Sequence, residues 1–466
     1  MRITPKLTDK HEGRPFPLMF PDRNKNRRFK TSGRLLLGVF LLVFLLVPAS
    51  PVRSQYKEQA VDFEDLGFYN RLFTAARPAG LAGAYTSVGD DLHALVYNPA
   101  GLARLRRIDG SLGFQYEKNA HRNVFYGSPA DVDQTSINLD CLSAAFPIPT
   151  YRGSLVGAIG VYREYSSYID LLYRGFNTLT DTNDDYILQQ TGSVFSYNFG
   201  FGVDLSPTLS AGASFFILDA TINALTQYSY EYTEQVPAGQ IWQVFLLDEL
   251  ETNLDGYGGR LGVQFYPHPK VQFGAALTTP VWINLAGSAY QEETFYKVAA
   301  TDSFVASDIL VELEYRLPFR LDGGLSFRHQ NLLLALDIGY TDWTQSSVKK
   351  TRLRDNNLQP VQREVVDVRL GLELSLPNLP IHFRGGYAYL PHPLSYLIAD
   401  RIEGEPLVKA EVDQEQQLFS VGLGGLIGRV MSLDMAYQYR NGRRSIPTLS
   451  DERSLHRLQI STSYHF

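Results

Sequence analysis

One cysteine, Cys141, stands in 466 residues, so no intrachain disulfide and no multi-cysteine metal site can form. Beyond residue 54 no apolar run approaches the roughly 20 residues that cross a bilayer as a helix. Any spanning there falls to closed β-structure. Basic residues are scarce in the same region. Residues 1–54 hold 11 of the 43 Lys+Arg and 3 of the 49 Asp+Glu, which leaves 32 against 46 and a net charge of −14. Such a balance argues against nucleic acid as a partner. There is no nucleophile elbow, zincin helix, Walker loop or dinucleotide fingerprint. No catalytic residue, metal ligand or cofactor is assigned, and the expectation is a protein that is not an enzyme.

What is present begins with an export signal. Arg23, Lys25, Arg27, Arg28, Lys30 and Arg34 precede thirteen uncharged residues, Leu35–Val47, and then small residues around Val52 and Ser54. A basic region, a short apolar region and a small-residue cleavage point describe a secretory signal peptide over 1–54, cut before Gln55. The alternative, an uncleaved anchor, is too short to span. With Gln55 first, a lipid-modified N-terminus is excluded.

The mature chain alternates with period two. In Val366–Leu376 the even positions are Val366, Val368, Leu370, Leu372, Leu374 and Leu376, against Asp367, Arg369, Gly371, Glu373 and Ser375. In Ile381–Tyr389 an outer set, Ile381, Phe383, Gly385, Tyr387 and Tyr389, opposes His382, Arg384, Gly386 and Ala388. The last strand ends on Phe466, the aromatic terminus of an outer-membrane barrel strand that the insertion machinery would read. The pattern predicts fourteen strands, roughly 109–118, 136–147, 153–167, 191–205, 208–222, 254–266, 270–288, 308–328, 331–345, 362–377, 380–390, 415–427, 430–441 and 454–466. Pro318 predicts a kink in the eighth. Short linkers alternate with long ones, the long ones covering 119–135, 168–190, 223–253, 289–307, 346–361, 391–414 and 442–453. Tight periplasmic turns and large outer loops with an even strand count describe an all-β membrane protein, a 14-stranded antiparallel outer-membrane β-barrel over 109–466 in the bacterial cell outer membrane.

A lumen of that width cannot be filled by strand side chains alone. Residues 55–108 carry Phe63, Leu66, Phe68, Tyr69, Leu72 and Phe73, too apolar for a loose tail, and are expected inside the barrel as an N-terminal plug. A small helix pair outside the mouth is the alternative. Within this segment Gly80, Gly83 and Ala84 are followed by Asp90 and Asp91 and then by Asn98, Pro99, Ala100, Gly101 and Leu102. Taken as residues, the glycines allow close approach or positive φ. Asn98 before Pro99 favours a turn closed by the Asn side chain, and the Asp pair is placed to cap the turn over Leu92–Tyr97. The combination resembles the N-terminal hatch of the FadL-type long-chain fatty acid and aromatic hydrocarbon transporters. It resembles still more closely the related PorV-like outer-membrane proteins. The resemblance implies a movable hatch coupled to uptake of hydrophobic molecules, with lateral opening at an inward kink of the third strand, where Gly157 and Gly160 lie. No ligand-contacting residue of that family is recognisable here.

Function is therefore expected to be uptake of hydrophobic small molecules, fatty-acid or aromatic-hydrocarbon-like, with outer-membrane lipids as surroundings. A PorV-like scaffold or shuttle for a secretion system is the alternative, and an outer-membrane enzyme a third. Val281–Leu285 and Ile241–Leu247 are candidates for a greasy wall near the outer mouth. Burying an acyl tail there yields about 0.8 kcal/mol per methylene. On the inner face, Asp367, Arg369, Glu373, His382 and Arg384 are expected to form a satisfied lumenal network rather than a catalytic cluster. The run Asp181–Asp185 spaces oxygens like a calcium loop but lacks its glycine and its closing glutamate, so a solvated loop is expected.

Overall fold

The computed structural model describes residues 71–177, 180–349, 358–399, 408–411, 415–428, 430–446 and 449–466. The signal segment, its cleavage point and Phe63–Tyr69 lie outside these. No helix among the described residues is long and apolar enough to cross a membrane. Crossing is done by strands. Fourteen of them, each paired antiparallel with the next, run from β1 (Asp109–Phe125) through β2 (Ser128–Ile148) to β3 (Leu155–Ser166, continued by Ile169–Asn177) and β4 (Thr182–Ser206). Then come β5 (Leu209–Tyr232), β6 (Ile241–His268), β7 (Val271–Thr278 and Val281–Lys297) and β8 (Ser303–Leu317 and Arg320–His329). The set is completed by β9 (Leu332–Asp342), β10 (Glu364–Ser375), β11 (Ile381–Pro391), β12 (Glu415–Ile427), β13 (Met431–Ile446) and β14 (Leu449–His465). Pairing of β1 with β14 from Asp109↔His465 to Phe125↔Leu449 closes the barrel and leaves no edge at the seam.

Burial is inside-out relative to a soluble protein. Leu112, Phe114, Tyr116, Leu261, Val263, Phe265, Leu370, Leu372, Leu458 and Ile460 are exposed, whereas Gln115, Glu117, Gln264, Asp367, Arg369, Arg457 and Gln459 are buried. Apolar side chains face the hydrocarbon and polar ones face the lumen, as a membrane barrel demands. The expected break at Pro318 separates the two segments of β8, and Pro280 divides β7 at the same height.

The long linkers differ from expectation. Residues 119–135 are ladder from Asn119↔Gln134 to Phe125↔Ser128, turned by Tyr126 and Gly127 with φ of 44° and 82°. Most of 168–190, 223–253 and 289–307 is ladder as well. The physical reason is a change of phase. In β5 the exposed positions are Phe215 and Ile217 below but Asp219, Thr221 and Asn223 above, while Leu218, Ala220 and Ile222 turn inward and are buried. β6 repeats this, with Phe265, Val263 and Leu261 outward below and Asp255, Asn253, Glu251 and Glu249 outward above. At the height of the change Tyr257 stacks on Trp282 (5.4 Å), and the Arg316 guanidinium lies 5.5 Å from that indole. An aromatic girdle with a charged neighbour marks the outer membrane boundary. Cysteines at Glu234 and Ala238, on the tip joining β5 to β6, should react with an impermeant thiol reagent on whole cells in a Cys141→Ser background. Asn378→Cys, on a short turn, should stay silent; labelling there instead would invert the topology.

Candidate functional site

Residues 71–108 form short turns around a helix α1 (Ala76–Gly80), a helix α2 (Ala94–Tyr97) and a 3-10 turn (Pro99–Arg104). Nearly all of this segment is buried, including Ala79, Leu81, Ala84, Val88, Leu95, Asn98 and Leu102. It packs on inward faces from β2 round to β14. The wall makes room with glycine. A Cβ added at Gly212 would lie 2.3 Å from the Pro99 carbonyl carbon, one at Gly274 2.2 Å from the Thr86 oxygen, and one at Gly386 2.6 Å from the Ala82 nitrogen. Gly80 and Gly83 act as expected. A Cβ added at Gly80 would stand 3.3–3.4 Å from Arg384 and Gly422, and Gly83 adopts φ 76° against the Phe73 ring.

Polar groups of the strands bind the segment's exposed backbone, which answers the demand that buried amides be paired. Asp337 accepts from the Tyr85 and Thr86 amides (2.8 and 2.7 Å) and Asp140 from the Ala75 amide (2.8 Å). Gln438, Gln459 and Ser420 donate to the carbonyls of Ala79, Phe73 and Gly80. The Asn98 side chain accepts from the Ala100 amide (3.2 Å), as its turn predicts, and donates to the carbonyls of Thr86 (2.8 Å) and Val263 (3.1 Å). Asp337 and Asp140 were not singled out from the sequence. The available signal was an acidic residue on the inward phase of a strand.

Asp91 caps the turn that leads into α2, its side chain accepting from the His93 amide (3.0 Å) and its carbonyl from the Ala94 amide. Both Asp90 and Asp91 also converge on Arg77, at 2.6 and 3.0 Å, and Arg77 reaches Glu373 of β10 (3.2 Å) and the Tyr85 hydroxyl (3.0 Å). Burial alone would raise the Asp91 carboxyl, but His93, Arg77 and the Tyr85 hydroxyl hold it below its ordinary value.

The lumenal residues fall into two linked sets. Glu373 pairs with Arg384 (2.7 Å), and Arg384 with Asp434 (2.6 Å). Arg369 pairs with Asp367 (2.9 Å) and Asp322, and Arg320 bridges Asp322 and Asp367 at 2.7 Å each. His382 stands apart, 2.7 Å from the Ser375 hydroxyl. Every cation in these sets has a carboxylate. In the Asp181–Asp185 run, Asp184 bonds Thr182 and Asn177 and Asp185 pairs with Arg174, so those oxygens serve the hairpin joining β3 to β4.

β3 carries one of the wall's irregularities. The β2–β3 ladder ends at Cys141↔Tyr162, although β2 continues paired with β1 as far as Ser128↔Phe125. A bulge lies between Arg163 and Tyr165, not at Gly157 or Gly160. There the lumen segment attaches, through an Arg71↔Tyr165 bridge and a Leu72 amide donating to the Glu164 carbonyl (2.8 Å).

Above the segment is a cavity of about 130 Å³. One side is apolar, with Phe216, Val281 and Leu317 leading into a buried cluster that adds Ile222, Leu254, Ile283, Leu285 and Leu313. Val281, Ile283 and Leu285 of Val281–Leu285 thus contribute to this wall, while Trp282 and Asn284 face outward. Val244 and Leu246 of Ile241–Leu247 join a separate cluster higher up with Tyr173, Tyr186 and Tyr228. The opposite side holds Arg71 and Arg440. Arg440 is 6% exposed; it donates to the Arg71 carbonyl (3.0 Å), its Nε has no partner, and among the described residues no carboxylate forms an ion pair with it.

No family model matches the sequence, and no curated protein does. Solved structures do. The Pseudomonas putida toluene transporter TodX superposes with TM-score 0.59 at 16% identity, over 85% of this chain and 99% of that one. A Pseudomonas aeruginosa FadL homologue gives 0.57 at 12% (84% and 98%), and the Ralstonia pickettii toluene transporter TbuX 0.55 at 16% (84% and 98%). The chain has the FadL-type fold. The lumen segment packs toward the short-turn end of the barrel, against Gly212 and Gly274, and the cavity lies on its long-loop side.

Proposed function

We propose that this protein takes up hydrophobic small molecules across the outer membrane, with the lumen segment 71–108 as a hatch over the periplasmic end. The observation that carries the reading is the cavity, which joins an apolar wall to a buried guanidinium, Arg440, that makes no ion pair among the described residues. A buried unpaired charge is costly, by several kcal/mol, and an incoming anion removes that cost. The ligand class is an apolar molecule, favoured when it carries a carboxylate at one end. Loading would be felt at β3, because the Arg71–Leu72 attachment to the Tyr165 bulge ties the hatch to the wall. The similar solved proteins described as toluene transporters and as a FadL homologue support this class.

The test is equilibrium binding to purified protein. Arg440→Ala should weaken binding of a long-chain fatty acid about 10- to 100-fold, the worth of a charge-assisted bond of about 1.5–3 kcal/mol. Binding of a neutral aromatic such as toluene should stay within a factor of two. If wild-type protein binds neither ligand, the transport reading fails. If Arg440→Ala weakens both equally, the head-group assignment fails.

A further inference from the structure

A second, smaller cavity of about 60 Å³ adjoins the first, and the two share Arg440 and Gln416 in their walls. Its lining is largely polar, with Glu117, Tyr168, Arg453 and Arg457 prominent, and the lumen segment enters it at Leu72. One water needs about 10–15 Å³ of such space, so the chamber has room for an ion with a few waters.

Charge around this chamber does not balance. The buried Glu117 carboxylate is divided between Arg163 and Arg457, at 3.1 Å from each. Arg453 pairs with Asp451. Arg440 makes no ion pair among the described residues, and its Nε has no partner. Four guanidiniums thus meet two carboxylates. A guanidinium only donates, so the arginines cannot satisfy one another and the chamber calls for an acceptor. Arg163, Arg440 and Arg457 are buried, so bulk solvent and salt screen the excess little.

We infer that this chamber holds a small inorganic anion of chloride size on Arg440, and that the carboxylate of an incoming ligand has to displace it. A buried cation without a counter-charge is costly, and an anion taken from the medium removes that cost between loadings. Trading one anion for another also leaves the charge of the lumen unchanged as the ligand arrives. Linkage makes the competition reciprocal, each anion weakening the other by the same factor. The exchange rests on reading the larger cavity as the ligand site. Occupancy of the chamber does not, because it is measured without ligand, so the two readings fail separately.

Wild-type crystals grown in bromide without fatty acid should show an anomalous-scattering peak within hydrogen-bond distance of the Arg440 guanidinium, and Arg440→Gln crystals should not. In solution, chloride is raised from about 10 to about 300 mM, with the bulky anion morpholinoethanesulfonate holding ionic strength constant. Binding of a long-chain fatty acid to the wild type should weaken about tenfold over that range. Arg440→Gln should bind it weakly and without chloride dependence. Arg443→Ala, which removes an exposed arginine from the same strand, should keep the wild-type dependence. Toluene binding should ignore chloride throughout. Absence of a bromide peak at Arg440 overturns the site, and so does a peak that survives in Arg440→Gln. A wild-type fatty-acid affinity indifferent to chloride overturns the exchange, as does an equal chloride response in Arg440→Gln, which would report general screening. Heat-modifiable migration on gels confirms that each variant is folded. If Arg440→Gln is not, the wild-type chloride titration, with toluene as its internal control, still decides.

Discussion

Arg77→Ala raises ion leak through the barrel by about two powers of ten while the protein still migrates as a folded barrel. The arginine is the one cation shared by Asp90, Asp91 and Glu373. Removing it leaves Glu373 with Arg384 and Asp90 with Arg328 but takes from Asp91 its ion-pair partner and unties the joint between lumen segment and wall. Breaking a buried pair by deleting one partner costs about 3–5 kcal/mol, and about 3 kcal/mol shifts a two-state element roughly 150-fold. The fourteen-strand ladder loses none of its own bonds. Planar-bilayer recording decides it: a closed trace identical to wild type would mean that the Asp337 and Asp140 contacts hold the hatch without help. The same joint has a definite pH dependence. Because the Asp91 carboxyl is depressed in the folded protein, its contribution is complete above the ordinary carboxylate range near 4 and is lost as pH falls through the lower folded value. Leak in wild type should therefore stay low at neutral pH and rise only in strong acid.

Gly212→Val and Gly262→Val together should expel the hatch. A Cβ at Gly212 meets backbone of Pro99 at 2.3 Å, and one at Gly262 meets the Asn98 amide oxygen at 2.0 Å. The first contact is with backbone, and the second could be relieved only by swinging the Asn98 side chain out of its bonds to Ala100, Thr86 and Val263; overpacking of this kind costs about 1–3 kcal/mol per site. Proteases added from the periplasmic side should then cut within residues 71–107, and conductance should increase. Gly157→Val is the control, since nothing lies within 4 Å of its added Cβ. Equal protease resistance in the double variant and the control would show that the segment's seat is elsewhere.

The membrane-embedded part of each strand was legible because hydrocarbon outside and polar lumen inside impose one phase of alternation. Val366–Leu376 and Ile381–Tyr389 obey it over their whole length. The upper halves of β5 and β6 were not legible, because alternation persists there with its sign reversed. Ile217 faces lipid, yet Ile222 faces the lumen beyond only a few residues. A reading tied to a single oily face ends the strand at that point. The hatch motif was legible as glycines and a turn, and those roles hold at Gly80, Gly83 and Asn98. For the Asp pair the cap by Asp91 was legible but the ion pairs were not, because their partners are distant in sequence: Arg77 lies 13 and 14 residues back and Glu373 belongs to β10. The Arg440 site left no local trace, for the missing carboxylate becomes visible only once neighbouring strands are known.

The hatch also constrains the order of assembly. β14 completes the ring by pairing with β1, and the same strand presents Gln459 to the Phe73 carbonyl and Ser461 to the Ala76 amide. The segment precedes β1 directly in the chain and is gripped by glycine-thin walls on many sides, so it cannot be threaded into a ring already shut. It has to be in place before the last strand arrives, and the earlier strands curl round it as round a mandrel. An empty barrel leaves the Gln459 and Ser461 side chains of its final strand without their partners at Phe73 and Ala76. Closure thus doubles as an inspection step.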